Sequence, residues 1–328
     1  MSAVEDTGET RLARAGRFLS DNPLIPLVVL LLLLVGVLEY MRPGIVNERW
    51  MANTVKFAIP LAMLAACQTL TMLTGGIDLS AGVAATVSAF VVATQTPLLG
   101  EPLAIAVALI PAVLVGLANG IGVAFARVHP LIMTLGTGLI ATGCLQVYQR
   151  TVIASGSVVP DSLAWLGTGR ILGAWPAALL LFVPFALLVL LIQNRSGFGR
   201  LLYALGSNEE AARLSGVRAW QVLLALYMLS GLIAGITGLL YVGLIKAPSL
   251  SLANPLMLPS VAAAVIGGTS IFGGRGGYGG TMLGALILTV LGTLLTLLRM
   301  PEGLRVALFG IIILAVTAIY VRLTGGDE

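Results

Sequence analysis

The stretch NRSGFGRLLYALGSNEEAARLSGVRAWQ, from Asn194 to Gln221, is polar, contains several arginines and separates two long apolar runs. Within it, Ser207 and Glu210 have the spacing of a capping box, in which the serine accepts a backbone N–H and the glutamate reaches back. Glutamates in the first turn and Arg213 near the last suit the helix dipole, and Gly216 is a natural stop. The pattern predicts a short helix, roughly two turns long, outside the hydrocarbon. An ordinary solvated loop with one helical turn is the alternative.

The composition of the chain places this stretch on a membrane protein. Of the 328 residues, 58% are hydrophobic and only 10% are charged, and the mean hydropathy is +1.02. A soluble domain carries about 25% charged residues, so this chain lacks the polar surface to face water all round. Several runs reach the roughly 20 residues of a spanning helix. Because backbone groups must pair within each segment in lipid, and no barrel-type alternation is present, the sequence predicts an all-α membrane protein.

About ten transmembrane helices are predicted, some of them broken. They lie near 24–40, 52–72, 81–96, 103–125, 131–149, 176–193, 219–243, 255–272, 279–298 and 303–321. The N-terminal arginines precede an apolar run that lacks a small-residue cleavage pattern, so we interpret it as an uncleaved first span. The chain then divides into a cytoplasmic tail (1–23), one permease domain (24–321, with its coupling loop at 194–218) and a second cytoplasmic tail (322–328).

The charges of one loop support the cytoplasmic location of the two tails. Four arginines surround the predicted short helix and place its loop in the cytoplasm: Arg195, Arg200, Arg213 and Arg218. Elsewhere the bias is weak. Arg127, Arg275 and Arg322 fall on the same side, and Arg42, Arg49, Arg150, Arg170, Lys246 and Arg299 on the other. The connection 150–175 is external, and its two tryptophans, Trp165 and Trp175, are typical of interfacial anchors.

A glycine-rich cluster with one carboxylate follows the second predicted span: Gly75, Gly76, Asp78, Ser80 and Gly82. Adjacent glycines break or bend a helix, and Asp78 or Ser80 can cap the helix that begins next. Because a charge inside a membrane span costs free energy, we expect Asp78 either to pair with another group or to have a functional role. One interpretation is a capped, broken helix near the membrane face, which is compatible with gating. The other is direct binding of a sugar or an ion by Asp78.

A second glycine cluster extends from Gly267 to Gly284. Gly276, Gly280 and Gly284 are spaced by four, which predicts one helix face suited to close helix–helix packing. The earlier glycines, including Gly267 and Gly268, are expected to form a tight cytoplasmic turn before Arg275.

Several function classes are excluded or disfavoured. A P-loop needs G-x-x-x-x-G-K-[ST], and the nearest approach, 268–275, has Gly274 where the lysine belongs. His129 is the only histidine, and Cys67 and Cys144 lie in apolar segments, so neither a catalytic nor a metal site is predicted. The basic residues are scattered singly, which disfavours a nucleic-acid partner. We therefore do not expect an enzyme, and no cofactor is expected on this chain.

Three motifs carry a resemblance to a known family: GRLLYALGSNEEAARLSGV in the coupling loop, LTGGIDLSAG at 73–82 and VIGGTSIFGGRGGYGGTMLGALIL at 265–288. Their sequence and order, over roughly 52–320, resemble ribose-type sugar permeases, the membrane subunits of binding-protein-dependent ABC importers. The resemblance implies that 207–216 is the coupling helix, which sits in a cleft of the ATPase subunit: Ser207, Asn208, Glu209, Glu210, Ala211, Ala212, Arg213, Leu214, Ser215 and Gly216. It implies a translocation or gating role for Gly75, Gly76, Asp78, Ser80, Gly82, Gly267 and Gly268.

The resemblance also implies partners and a location. These are an ATPase subunit that carries ATP and Mg²⁺, a periplasmic or lipid-anchored sugar-binding protein, and a second permease copy or homologue in a bacterial inner membrane. Relatives of this kind carry ribose, xylose, arabinose, galactose, rhamnose or autoinducer-2, so the class is a monosaccharide or similar small polar solute. The alternative is an ion-coupled secondary transporter in which Asp78 is the proton or sodium site.

Overall fold

The computed structural model of the protein describes residues 24–152 and 156–301, together with eight positions between 303 and 314. The helices are α1 (Leu24–Met41), α2 (Glu48–Met72), α3 (Ala81–Leu99), α4 (Glu101–Ala124), α5 (Pro130–Val152), α6 (Asp161–Thr168), α7 (Leu179–Arg195), α8 (Gly197–Ser207), α9 (Glu209–Leu214), α10 (Ala219–Ile245), α11 (Asn254–Ile266) and α12 (Tyr278–Leu297). Two short antiparallel strands, β1 (Arg170–Ile171) and β2 (Trp175–Pro176), form a hairpin.

The predicted class, an all-α membrane protein, is confirmed. Seven of the described helices are long and apolar enough to cross a membrane, and the bent pair of α7 and α8 makes eight. The outer surface is apolar, as on α1, where Leu38 is the one buried residue and Leu32 and Leu33 are exposed. The predicted span 303–321 is described at only eight positions, all helical. The predicted tails 1–23 and 322–328 lie outside the described residues.

The core of the bundle is built around α10, which packs on α4, α3 and α2. The α4–α10 crossing is close because glycines face each other. A Cβ atom at Gly116 would overlap the carbonyl oxygen of Tyr227, and one at Gly231 would overlap that of Ala112. The spacing of Gly116 and Gly120, and of Gly231 and Gly235, therefore coincides with backbone-to-backbone packing, which small residues allow in membrane helices.

The loops divide between two ends of the bundle. At one, the α9 end, the α4–α5 turn meets α9 through Arg127 and Glu209, and the 267–277 turn meets the end of α8. At the other, the hairpin end, Val158 donates a backbone hydrogen bond to Ala93, 2.8 Å away. The predicted external connection 150–175 contains α6, which packs on α10 at two glycines: Gly167 lies against the backbone of Gly243 and Leu244, and Gly243 against the Leu163 carbonyl. The α4–α5 turn, the α8–α9 segment and the 267–277 turn thus lie at one end, as the sequence predicts, whereas Arg322 lies outside the described residues.

The predicted span 255–272 is wrong in length. The helix α11 runs only from Asn254 to Ile266, 13 residues, or roughly 20 Å, which is short of the ~30 Å hydrocarbon core. It ends at Gly267, and Gly268 follows with a φ of +86°. Apolar side chains such as Ile271 and Phe272 continue the hydrophobic run beyond the helix, so hydropathy alone overestimates its length.

The predicted capping box is also wrong. Ser207 is the last residue of α8, and its hydroxyl donates to the carbonyl of Tyr203 at 2.8 Å. The N-cap of α9 is Asn208, whose side-chain oxygen accepts from the N–H of Ala211 at 2.9 Å. The segment before it was predicted as a loop but forms α8, which bends by 62° from α7. The N-cap of α8 is Ser196, whose hydroxyl accepts from the N–H of Gly199 at 3.0 Å.

Candidate functional site: a protruding helix and a buried break

The short helix α9 protrudes from the bundle. Of the ten predicted coupling residues, 207–216, only Ala212 is buried. Leu214, the last residue of the helix, is 85% exposed. Glu209 and Glu210 occupy the first turn and Arg213 the last, as the helix dipole favours. The helix therefore presents one apolar side chain and a ring of charges to whatever lies beyond this end.

One ion pair ties α9 to a neighbouring turn. The Arg127 guanidinium, between α4 and α5, donates from Nη1 to Oε1 of Glu209 at 2.5 Å, and the two side chains are 51% and 44% exposed. Arg127 itself has a φ of +54°, a region that non-glycine residues seldom adopt. The pair thus connects α9 with the turn that carries Pro130 into α5.

Beneath α9, the three motif segments meet backbone to backbone. The N–H of Gly274 donates to the carbonyl of Leu73 at 3.0 Å. Gly206, in the last turn of α8, lies against both, since a Cβ atom there would overlap the Leu73 oxygen and lie 2.6 Å from the Gly274 nitrogen. Only glycine permits this approach. We call the contact of Leu73, Gly206 and Gly274 the glycine junction.

A polar group extends this contact along α8. The Tyr203 hydroxyl donates to the Gly276 carbonyl at 2.7 Å, and the buried Gln193 amide donates to the Tyr203 oxygen at 2.6 Å. The Gln193 oxygen in turn accepts from the N–H of Tyr278 at 2.9 Å, at the start of α12. The segments α7, α8 and α12 are therefore fastened to each other at the α9 end.

The break between α2 and α3 turns back inside the bundle. Gly75 has a φ of +75°, a conformation that glycine adopts at no steric cost. A Cβ atom on Gly76 would lie 2.7 Å from the Tyr227 oxygen and 3.2 Å from Pro130. Gly82, in the first turn of α3, is packed on the start of α11, with Met257 3.2 Å from the corresponding Cβ position. These glycines let the break fit between α5, α10 and α11.

Asp78 is the centre of a buried polar network. Its side chain is 1% exposed. The hydroxyl and the N–H of Ser80 donate to Oδ1 at 2.6 and 3.0 Å, and the Ser230 hydroxyl donates to Oδ2 at 2.6 Å. The Asn119 amide donates to the Ser80 oxygen at 2.7 Å and accepts from Thr137. The network therefore connects α3, α10, α4 and α5 through one carboxyl group.

The depth of Asp78 follows from its partner on α10. Ser230 lies eleven residues after Ala219, which is roughly 16 Å along the helix axis. The Asp78 backbone is held there as well, because its carbonyl accepts from the Gln68 amide at 2.8 Å and its N–H donates to the Gln68 oxygen at 3.2 Å. Both carboxyl oxygens are occupied, so this geometry suits a structural node inside a broken helix. Ser80 occupies the N-cap position of α3 without capping it through its side chain.

The second glycine cluster is part turn and part helix face. Gly280 and Gly284 lie on α12 against the backbone of α11, at Gly267 and Ala263. Gly276 was predicted to share that face, but it precedes α12, has a φ of +124° and lies against Thr269. The tight turn before it is the one expected from Gly267 and Gly268. Among the described residues, no three His, Cys, Asp or Glu side chains lie together as metal ligands would.

Several residues of the site were missed from the sequence. Gly206, Gln193 and Tyr203 connect α7 and α8 with the glycine turn, and Ser230 and Asn119 hold Asp78 in place. The polar side chains Gln193, Ser230 and Asn119 stand within apolar runs, and a buried polar group requires a partner. That rule identifies them as candidates without indicating which segment they meet.

Comparison with known proteins completes this description. Residues 50–317 match the family described as branched-chain amino acid transport system / permease component. The chain is 32% identical to the fructose import permease FrcC of Rhizobium meliloti over 95% of this chain and 89% of that protein. It is 31% identical to the ribose import permease RbsC of Escherichia coli K12, over 88% and 90%, and 29% identical to the fructose import permease FruF of Bifidobacterium longum, over 88% and 85%. No solved structure matches the chain.

These relatives are transport permeases rather than enzymes, and they span nearly the whole chain. The three motifs on which the resemblance was based are the segments that meet at the glycine junction and the buried break. The chain therefore belongs to this permease family and, within it, to the ribose-type sugar permeases of ABC importers.

Proposed function

We propose that this permease imports a monosaccharide or similar small polar solute with energy from ATP that a separate subunit hydrolyses. The helix α9 and its flanks, 207–216, dock on that ATPase. ATP and Mg²⁺ then bind only to the partner, since the sequence lacks a P-loop. The names of the relatives, ribose and fructose import permeases, make ribose and fructose the first solutes to test.

The observation that carries the proposal is the position of α9. It is exposed to a partner, with Leu214 85% exposed, and it directly follows the glycine junction through Ser207. A pull on α9 would move Gly206 against the Leu73 carbonyl and Gly274. Because Gly206 contacts both backbones directly and Gly274 is hydrogen-bonded to Leu73, a displacement of α8 is transmitted to both. The motion would thus reach the α2–α3 break and the α11–α12 turn together.

The rest of the assembly follows from this role. A second copy of the permease, or a homologue, completes the pathway, and a periplasmic or lipid-anchored binding protein delivers the solute at the hairpin end. Residues 24–321 then act as one permease domain within the lipid of the bacterial inner membrane, and both tails are cytoplasmic. Glycine pairs that bring helices to backbone contact, and the break at Asp78, give the bundle its means of bending.

The ion-coupled alternative has less support. A proton or sodium site needs a carboxyl oxygen that can take the ion from a water-filled path. In this structure Ser80 and Ser230 donate to both oxygens of Asp78, and the side chain is 1% exposed. Uptake into vesicles with ATP but no ion gradient distinguishes the two mechanisms.

Charge and contact substitutions on α9 test the proposal. In the Glu209→Lys, Arg213→Glu double variant and in Leu214→Asp, we expect uptake to fall while the amount of folded permease stays the same. The co-purified ATPase should fall in parallel, because the lost contacts are intermolecular. Leu172→Asp is the matched control: Leu172 is 89% exposed at the hairpin end, and its replacement should leave ATPase binding unchanged. Normal uptake in the double variant would contradict the coupling role.

A further inference from the structure

A cavity of about 610 Å³ lies between α2 and α12 toward the hairpin end. Its walls are one face of each helix, and Tyr241 of α10 and Leu256 and Pro259 of α11 complete the lining. Pockets for small molecules measure roughly 300–1,000 Å³, so a monosaccharide fits with room for water.

The α2 wall combines two aromatic side chains with two polar ones. Trp50, Asn53, Thr54 and Phe57 all line the cavity, at the spacing that places residues on one side of a helix. Asn53 is exposed, and its amide makes no hydrogen bond to another side chain or backbone group among the described residues. The buried indole Nε1 of Trp50 is likewise unpaired within the part of the chain that the structure describes. The accessible polar group of this wall is therefore the Asn53 amide, whereas the Trp50 nitrogen is buried behind it.

The α12 wall is a row of hydroxyls. Thr289, Thr293 and Thr296 line the cavity, and each donates to the carbonyl four residues earlier, at 2.8, 3.2 and 2.8 Å. Their hydrogens are used, but their oxygens retain lone pairs. Gly292 lies between them, and its lack of a side chain leaves space in the cavity on this side. A ligand hydroxyl can therefore donate to α12 and accept from α2.

The lining contains no charged side chain. A zwitterionic amino acid would need groups that compensate its ammonium and carboxylate once they leave water. A neutral polyhydroxylated ring needs only hydrogen bonds and an apolar or aromatic face for its C–H groups. The lining supplies both, so the chemistry favours a sugar over an amino acid.

Toward the α9 end, α12 packs directly on α2 and on the end of α11. Thr69 of α2 and Thr281 of α12 share a hydrogen bond of 2.7 Å, and Gly280 lies against the backbone of Gly267. Thr281 is eight residues before Thr289, roughly 12 Å deeper along the axis. The cavity is therefore closed toward α9 by paired hydroxyls and a glycine contact.

We propose that this cavity is a low-affinity binding site for a neutral monosaccharide on its way through the permease. Asn53 and Thr293 hydrogen-bond the ring from opposite walls, and Trp50 and Phe57 pack against its C–H faces. The inference rests on the proposed import function in its choice of ligand, but the site would bind without ATP and without the ATPase.

Protection of an introduced cysteine tests the site. Thr296→Cys, which lines the cavity but does not hold the ring in this proposal, is made in the full chain with Cys144→Ser, since Cys144 is exposed and Cys67 is buried. The purified protein in lipid nanodiscs reacts with a small methanethiosulfonate, with D-ribose, D-fructose or L-leucine present. At about 100 mM sugar and a Kd on the order of 10 mM, protection by the factor 1 + [L]/Kd slows labelling about tenfold. Gly292→Cys, also in the lining and with open space at its Cβ position, serves as a second reporter.

Ser249→Cys, an exposed position in the loop after α10 at the same end, is the matched control. Its labelling should not respond to sugar, which separates binding from viscosity effects. Protection by L-leucine alone, or by no solute, would overturn the proposal. So would labelling that depends on the lipid and not on the sugar, since a lipid chain or a second permease copy would then occupy the cavity. The experiment contains neither ATP nor ATPase, so failure of coupling cannot produce any of these results.

Discussion

The Ser230 hydroxyl is the only described side chain that donates to Oδ2 of Asp78, and the two meet across 152 positions of the chain. In Ser230→Ala, that oxygen loses its donor in a buried site. We expect the free energy of unfolding to fall by about 1–3 kcal/mol, the cost of leaving a buried polar group unsatisfied. Thermal unfolding of the purified permease in detergent measures the change.

Ser260→Ala is the control for that measurement. Ser260 is equally buried, but its hydroxyl donates only to the Met257 carbonyl within its own helix, at 2.6 Å. Its loss should cost less than the loss of Ser230. Equal destabilisation by the two substitutions would show that Asp78 does not depend on the Ser230 contact.

Sequence and structure agree at the residue scale where the signal is local. The charge order of α9 was predicted correctly, because dipole preferences act within one turn. The cap was assigned to Ser207 instead of Asn208, since both residues are good N-caps and α8 decides between them. The donors to Asp78 from Ser230, and to Ser80 from Asn119, could not be predicted, because nothing near position 78 encodes its distance to α10 or α4.

At the scale of elements, Gly206 fixes how α8 meets the α2–α3 break. In Gly206→Ala, the new methyl group would overlap the Leu73 carbonyl oxygen, so α8 must move away from the glycine junction. We expect a lower melting temperature and a marked loss of uptake into membrane vesicles.

Gly197→Ala tests the same helix where there is room. A Cβ atom at Gly197 has only the Arg200 guanidinium nearby, at 3.9 Å, and alanine is the better helix former. We expect unchanged or slightly higher stability and normal uptake. If both substitutions behaved alike, the close contact of Gly206 would have no role in transport.

The predicted helix lengths are correct where polar residues flank the helix, and wrong where a glycine ends it. The α10 boundaries lie within a few residues of the predicted 219–243, because Arg218 and Lys246 flank the helix. The helix α11 ends where the backbone turns at Gly267, although the hydropathy of the surrounding apolar run is continuous there. Similarly, α8 contains three glycines, which disfavour a helix, yet its apolar face is buried through Leu202 and Leu205.

At the scale of the whole molecule, the two ends of the bundle should face opposite sides of the membrane. Leu172→Cys and Ser215→Cys, each in a chain with Cys144→Ala, place one accessible thiol at each end. With an impermeant maleimide on intact cells, we expect Leu172→Cys to react at once and Ser215→Cys only after permeabilisation. The arginines around α9 favour the cytoplasm by the positive-inside rule.

The reverse labelling pattern would put α9 outside the cell and remove it from reach of any ATPase. The parent chain with Cys144→Ala should stay unlabelled, since Cys67 is buried. Sequence alone predicted which loops share an end, because hydrophobic spans alternate direction. It did not predict that the turn at 267–277, the α2–α3 break and α8 converge, since that convergence depends on packing between distant helices.

The ion pair between Arg127 and Glu209 has a consequence for how a partner engages this protein. Both side chains are about half exposed, and such pairs contribute only about 0.2–1 kcal/mol. A carboxylate of a partner that binds the Arg127 guanidinium, or an ammonium of a partner that binds Glu209, would replace the ion pair at almost no net cost in free energy. The ion pair therefore orients α9 in the isolated permease, and a docking partner can exchange it readily for contacts of its own.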